Sequence, residues 1–215
     1  MDGQRHTAGV TPPTTPGPEL RYVALGDSYT IGTSVAPEHR FPEQLAVAWP
    51  SLDLVANLGV NGFTTADLIR AELPALGVLA PDVVTLLIGV NDVVQGVPMG
   101  RYQANLTTIL DDLTARLPPE RIVTITVPDY TVTPAGADYG DPTARSAAIR
   151  ECNRIMERLA DARGIACVDV HDISLDTAAD RTLVADDGLH PSGAQYARWV
   201  ARLVPVVARL LEVRS

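Results

Sequence analysis

Residues 21–32 read RYVALGDSYTIG. Val23, Ala24 and Leu25 are apolar on consecutive positions, as in a strand of a parallel sheet covered on both faces. Gly26-Asp27-Ser28 then interrupts the run with turn-forming residues. Four further short runs have the same character: SLDLVAN (51–57), DVVTLLIG (82–89), RIVTITV (121–127) and IACVDV (165–170). Helix-period segments lie between them. RYQANLTTILDDLTARL (101–117) repeats Tyr102, Leu106, Ile109, Leu110, Leu113 and Leu117 at threes and fours. TARSAAIRECNRIMERLADARG (143–164) places Ile149, Cys152, Ile155, Met156 and Leu159 on one stripe, with Gly164 positioned to end the helix. A last helix is expected from Ser192, its hydroxyl capping the chain while Gln195 reaches back, with Tyr196, Trp199, Val200 and Leu203 facing inward and Pro205 as a kink point.

Strands that alternate with helices require right-handed crossovers. The expectation is therefore an α/β fold: one three-layer α/β/α domain over 21–215 with a five-stranded parallel sheet, flavodoxin-like in type. MDGQRHTAGVTPPTTPGPEL (1–20) has four prolines and no apolar core, and reads as a flexible leader rather than a signal peptide.

Composition narrows the function classes. The 215 residues are 46% apolar and 20% charged, enough for a single core without disulfides or metals. All 17 basic residues are Arg, against 26 acidic ones, giving a formal charge of −9. That balance argues against nucleic acid and anionic membrane surfaces as partners. The longest apolar run, VVTLLIGV (83–90), is strand-sized, so no membrane span is expected. A cytoplasmic location is expected, with export or trimming from a precursor left open. Cys152 and Cys167 fall on a helix stripe and inside a strand, which suggests core packing rather than reactivity.

In open α/β sheets ligands bind beyond the carboxyl ends of the strands. The loops there carry Ser28 after strand one, Gly59 and Gly62 after strand two, and Asn91 after strand three. Asp187-Gly188-Leu189-His190 precedes the last helix. This inventory suits acyl transfer. A serine hydroxyl needs an adjacent base, and an imidazole with a reference pKa of about 6.5 serves at neutral pH. A carboxylate three residues before His190 can hold the far ring nitrogen. Glycine amides and the Asn91 side chain can donate to an oxyanion. Asp27 and Asp92 are expected to tie down their own turns, and Asp186 is the rival of Asp187 for orienting His190. Of the remaining histidines, His39 is expected to be solvated. His171, within Asp169-Val170-His171-Asp172, is expected to have a surface or hydrogen-bonded role rather than to bind metal, since no third ligand stands nearby.

The four segments together resemble the GDSL family of esterases and lipases, in its SGNH hydrolase group. The match is carried by Gly26-Asp27-Ser28 with Gly32, by Gly62, by Asn91 in Gly-Val-Asn-Asp, and by Asp187 with His190. Tyr29 replaces the Leu of the family name, and Asn61 stands where a small Ser often precedes the glycine. The resemblance implies the SGNH hydrolase fold and a serine esterase without metal or cofactor. It implies Ser28 as nucleophile, His190 and Asp187 as its partners, and an oxyanion hole of the Ser28 amide, Gly62 and Asn91.

The expected substrate is a small-molecule ester with a short acyl or acetyl group, because no large apolar cap is evident. Tyr29, Ile31, Val93, Tyr130 and Leu189 are the expected pocket walls, with Val94 and Pro98 beside them, and the long 128–142 segment with Tyr130 and Tyr139 is a candidate lid. Two alternatives use the same residues differently: an acyltransferase passing the acyl-enzyme to an alcohol, and a non-catalytic carbohydrate-binding module on this fold. Oligomeric state is not legible in the sequence.

Overall fold

The computed structural model describes residues 19–212. The expected leader lies outside the described residues except for Glu19 and Leu20, and Leu20 is already the first residue of a strand. The five strands are β1 (Leu20–Gly26), β2 (Leu52–Asn57), β3 (Val83–Leu87), β4 (Ile122–Ile125) and β5 (Ala166–Val168). Each falls on an expected run, trimmed or shifted by a few residues. They form one parallel sheet in the order β2-β1-β3-β4-β5. Tyr22 pairs with Leu54 and Val23 with Ala56, so Val55 is an extra residue that bulges β2.

Among the described residues eight α-helices surround the sheet: α1 (Ser28–Ile31), α2 (Phe41–Ala48), α3 (Thr65–Leu79), α4 (Val90–Val94), α5 (Met99–Arg116), α6 (Pro142–Asp161), α7 (His171–Leu175) and α8 (Gly193–Glu212). α2 packs with α8 on one face, while α3, α5 and α6 pack side by side on the other. Right-handed crossovers require this split, because the chain moves outward from β1 to β2 and then back past β1 to β3. β3 is buried at all five positions, as a central strand covered on both faces must be. Tyr102, Leu106, Ile109, Leu110 and Leu113 of α5 are completely buried, which is the stripe expected from their spacing.

α8 behaves only partly as its sequence suggests. Ser192 Oγ accepts the Gln195 N–H at 3.3 Å, but the Gln195 side chain does not reach back; it is buried and donates to the Leu183 carbonyl at 2.9 Å. The Ser192 N–H is taken by the Leu183 carbonyl instead, so the cap is shared with the preceding loop. The helix runs on through Pro205 to Glu212. Its aromatic ridge also fixes α1: Trp199 stacks edge-on against Tyr196 and Tyr29, and the Tyr196 hydroxyl donates to the Tyr29 carbonyl at 2.9 Å. The reversal between β1 and β3 is the switch point of the sheet, and α1 and α4 leave it there side by side.

Candidate active site

Ser28 is the first residue of α1 and is 7% exposed. Asp27 caps that helix, its Oδ1 accepting the Tyr29 N–H at 3.0 Å. Beneath the turn, Glu72 of α3 accepts the Gly26 N–H at 2.9 Å. Both carboxyls are buried, and no cation among the described residues pairs with either. Burial pushes Asp27 up to about 8 against the pull of the Tyr29 N–H, with Asp92 adding repulsion. Burial likewise pushes Glu72 up to about 9 against the Gly26 N–H, with Asp27 adding repulsion. Asp27 thus ties its own turn, as expected. Asp92 does not: it reaches across to α3, accepting the Thr65 N–H at 2.9 Å and the Thr65 hydroxyl at 2.6 Å. It fastens two elements together rather than closing one loop.

Asp187 and His190 form a tight local unit. Asp187 Oδ1 accepts the backbone N–H groups of Leu189 and His190, each at 2.9 Å, and Oδ2 lies 2.6 Å from His190 Nδ1. The Ser34 hydroxyl donates to that same Oδ2 at 2.7 Å. Partial burial pushes the Asp187 carboxyl up, but the His190 N–H, the Ser34 hydroxyl, the Leu189 N–H and the His190 ring together hold it down at about 2. Both Asp186 and Asp187 are exposed, but it is Asp187 that the imidazole contacts. With Nδ1 committed, Nε2 is the ring nitrogen left over, and His190 lines one cavity together with Ser28. No hydrogen bond joins Ser28 Oγ to His190 among the described residues; contacts of this kind commonly tighten only in the Michaelis complex.

The two candidate glycines separate by their surroundings. A Cβ on Gly59 would stand 2.5 Å from the Ile31 nitrogen and 2.7 Å from the Asp27 carbonyl oxygen, so Gly59 exists to let β2's exit loop lie against α1. Gly62 has φ +81°, is exposed, and a Cβ there would meet nothing; its backbone is shaped rather than packed. Its carbonyl accepts from Gln95 Nε2 at 3.0 Å. The Asn91 amide donates to the Phe63 carbonyl at 3.0 Å, which leaves its second N–H available. Asn61, the departure from the family pattern, accepts from the Thr33 hydroxyl at 2.6 Å.

A cavity of about 50 Å³ is lined by Ser28, Asn91 and His190 together with Tyr29, Val90, Val94, Tyr130, Tyr139 and Leu189. Tyr29, Tyr130 and Leu189 are where the sequence places them. Val93 is not: it is buried in the core, and its neighbour Val94 takes the wall position. A five-residue helix is too short for spacing to set its phase. Ile31 faces a separate, open cleft with Thr33, Ser34, Arg40 and Asn61, and Pro98 lies outside both as the residue before α5. The 128–142 segment folds as two single turns, Tyr130–Val132 and Gly136–Tyr139, with the two tyrosine rings edge-on. It is tied to the site on one side by the Ala135 N–H, which donates to the Gly188 carbonyl, and just beyond it Arg145 of α6 donates to the Val93 carbonyl.

Other expected candidates stand apart. His39 is exposed; His171 is half-buried, its Nε2 3.7 Å from Asp129 Oδ2. Burial pushes the Cys152 thiol up to about 12 and Cys167 up to about 11, which leaves both unreactive at neutral pH. Ser34, Glu72, Gln95 and Arg145 were not singled out by sequence, since each acts on a residue distant along the chain.

Solved structures share this architecture. A member of the lipolytic protein G-D-S-L family from Veillonella parvula superposes with TM-score 0.72 at 16% identity, covering 88% of this chain and 98% of its own. An alpha/beta hydrolase from the metagenome of Lake Arreo gives 0.68 at 22%, covering 90% and 97%. An acetylxylan esterase from Geobacillus stearothermophilus gives 0.69 at 20%, covering 89% and 95%. No curated protein matches the chain significantly. Similarities this low in identity establish the fold alone. The sequence pattern of the GDSL-like lipase/acylhydrolase family, however, matches residues 24–198 continuously, from β1 into α8. The chain therefore belongs to the GDSL-like lipase/acylhydrolase family and is a carboxylic ester hydrolase.

Proposed function

We propose that this protein hydrolyses esters of short acyl groups, acetyl above all, through an acyl-enzyme on Ser28. His190 Nε2 takes the Ser28 proton as Oγ attacks the ester carbonyl. Asp187 holds the opposite ring nitrogen and offsets the imidazolium charge. The oxyanion receives hydrogen bonds from the Ser28 and Gly62 amides and the free N–H of Asn91. Collapse of the tetrahedral intermediate expels the alcohol, which takes the proton from His190. Water then adds to the acyl carbon by the same route and releases the acid and free Ser28.

The observation that carries the acyl preference is the size of the cavity. About 50 Å³ beside Ser28, Asn91 and His190 holds a group of a few atoms, with Tyr29, Tyr130, Tyr139, Val94 and Leu189 as its other walls. The likeness to a protein named as an acetylxylan esterase supports an acetyl group and makes an acetylated sugar a suitable assay substrate.

The test is a hydrolysis panel of p-nitrophenyl acetate, butyrate and octanoate with an acetylated xylo-oligosaccharide. kcat/KM is expected to fall steeply beyond butyrate, and Ser28→Ala to lose turnover with its thermal unfolding intact. Faster cleavage of octanoate than acetate overturns the acyl assignment. Wild-type rates in Ser28→Ala overturn the nucleophile.

A further inference from the structure

Ser34 belongs to none of the sequence motifs, yet its backbone is unusual. Its φ is +65°, a left-handed conformation that few non-glycine residues adopt. The surrounding turn holds it there. Gly32 and Thr33 N–H both donate to the Ser28 carbonyl, at 3.0 and 3.1 Å, so the turn grows directly out of α1. The Thr33 hydroxyl bonds Asn61 at 2.6 Å, anchoring the turn to β2's exit loop. Backbone strain of this kind persists only where the surroundings impose it, and here it aims a hydroxyl at a carboxylate.

That carboxylate is Asp187, 153 residues away. Its Oδ1 is saturated by two N–H groups from its own turn, and its Oδ2 is shared between His190 Nδ1 at 2.6 Å and Ser34 Oγ at 2.7 Å. Three of the four donors therefore come from the Asp187–His190 turn itself. Ser34 is the one that comes from the Ser28 side, six residues beyond that serine. It links the two halves of the catalytic unit through a contact independent of substrate.

Building on the Ser28–His190–Asp187 assignment, we propose that Ser34 is a positioning residue. Its hydroxyl sets the plane of the Asp187 carboxylate relative to α1, so that His190 presents Nε2 to Ser28. Without it the carboxylate is fixed only to its own turn, and the imidazole keeps its partner but loses its registration with the nucleophile. The cost falls on the transition state rather than on substrate binding.

Two substitutions separate this role from a purely structural one. Ser34→Ala removes the hydroxyl and keeps the side-chain conflict of the left-handed backbone, whereas Ser34→Gly removes both. Both are expected to lower kcat on p-nitrophenyl acetate about tenfold with KM unchanged, although only the alanine variant loses thermal stability. In an Asp187→Asn background, Ser34→Gly should add less than a twofold loss, because the group it orients has already been altered. A Ser34→Gly enzyme with wild-type kcat overturns the proposal, as does a full tenfold loss that persists in the Asp187→Asn background. Ser28→Ala measured alongside keeps the two levels apart: if it retains turnover, the nucleophile assignment itself fails, whatever Ser34 does.

Discussion

Asn91 shows how much a single side chain can be asked to do. One of its N–H groups is spent on the Phe63 carbonyl, which holds the loop carrying Gly62, and the other is the one proposed to meet the oxyanion. Asn91→Ala should therefore lower kcat by about 10²–10³-fold, the loss typical of one oxyanion donor, with little change in KM; steady-state kinetics on p-nitrophenyl acetate measure it. Asp187→Asn keeps the shape of its turn but presents the wrong hydrogen-bonding groups to His190. A drop in kcat of roughly 10³–10⁴-fold is expected, by analogy with other triads. Because the Asp187 carboxyl is held down at about 2, below its ordinary value, its share of stability is present above pH 4 and is lost only as pH falls through about 2. These residues were legible because each sits in a short block with a recognisable neighbour pattern, Asp187 and His190 being only three apart. Ser34 and Gln95 were not, because their partners, Asp187 and Gly62, lie 153 and 33 residues away.

Among the elements, α3 matters most to the site although none of its side chains lines the cavity. It begins with a reciprocal cap: Thr64 Oγ1 accepts the Asp67 N–H, and Asp67 accepts the Thr64 N–H at 2.9 Å. The next residue, Thr65, grips Asp92, so the start of α3 fixes α4 and with it Asn91. Thr64→Ala should cost about 1 kcal/mol of stability, read as a shift in the urea midpoint at unchanged m-value. The long helices α5 and α6 were legible from their apolar periods, since three or more turns average out local irregularity. The single turns α1 and α4 were not. Their boundaries are set by the Asp27 cap and by contacts to other elements, which is why Val94 rather than Val93 meets the cavity.

For the molecule as a whole, the notable cost lies beneath Ser28, where Asp27 and Glu72 are buried and no cation among the described residues pairs with them. Both are raised far above the ordinary carboxylate value of about 4. In that range the folded state holds protons that the unfolded chain has released, so stability falls as pH rises from about 4 toward 9. Glu72→Gln keeps the shape and the acceptor for Gly26 without the ionisable proton. Its melting temperature relative to wild type should therefore climb between pH 5 and pH 9, as followed by circular dichroism; a constant difference would show that Glu72 does not titrate in this range. Sequence alone determined the α/β class, the five strand runs and the long helices among them, and the residue types proposed to carry the chemistry, because periodicity and turn chemistry are local properties. Tertiary structure alone decided the size of the cavity beside Ser28, the partner of Ser34 and the burial of Glu72 beneath Gly26. Each depends on distances between segments remote in the chain, which packing against a common sheet sets and no local pattern encodes.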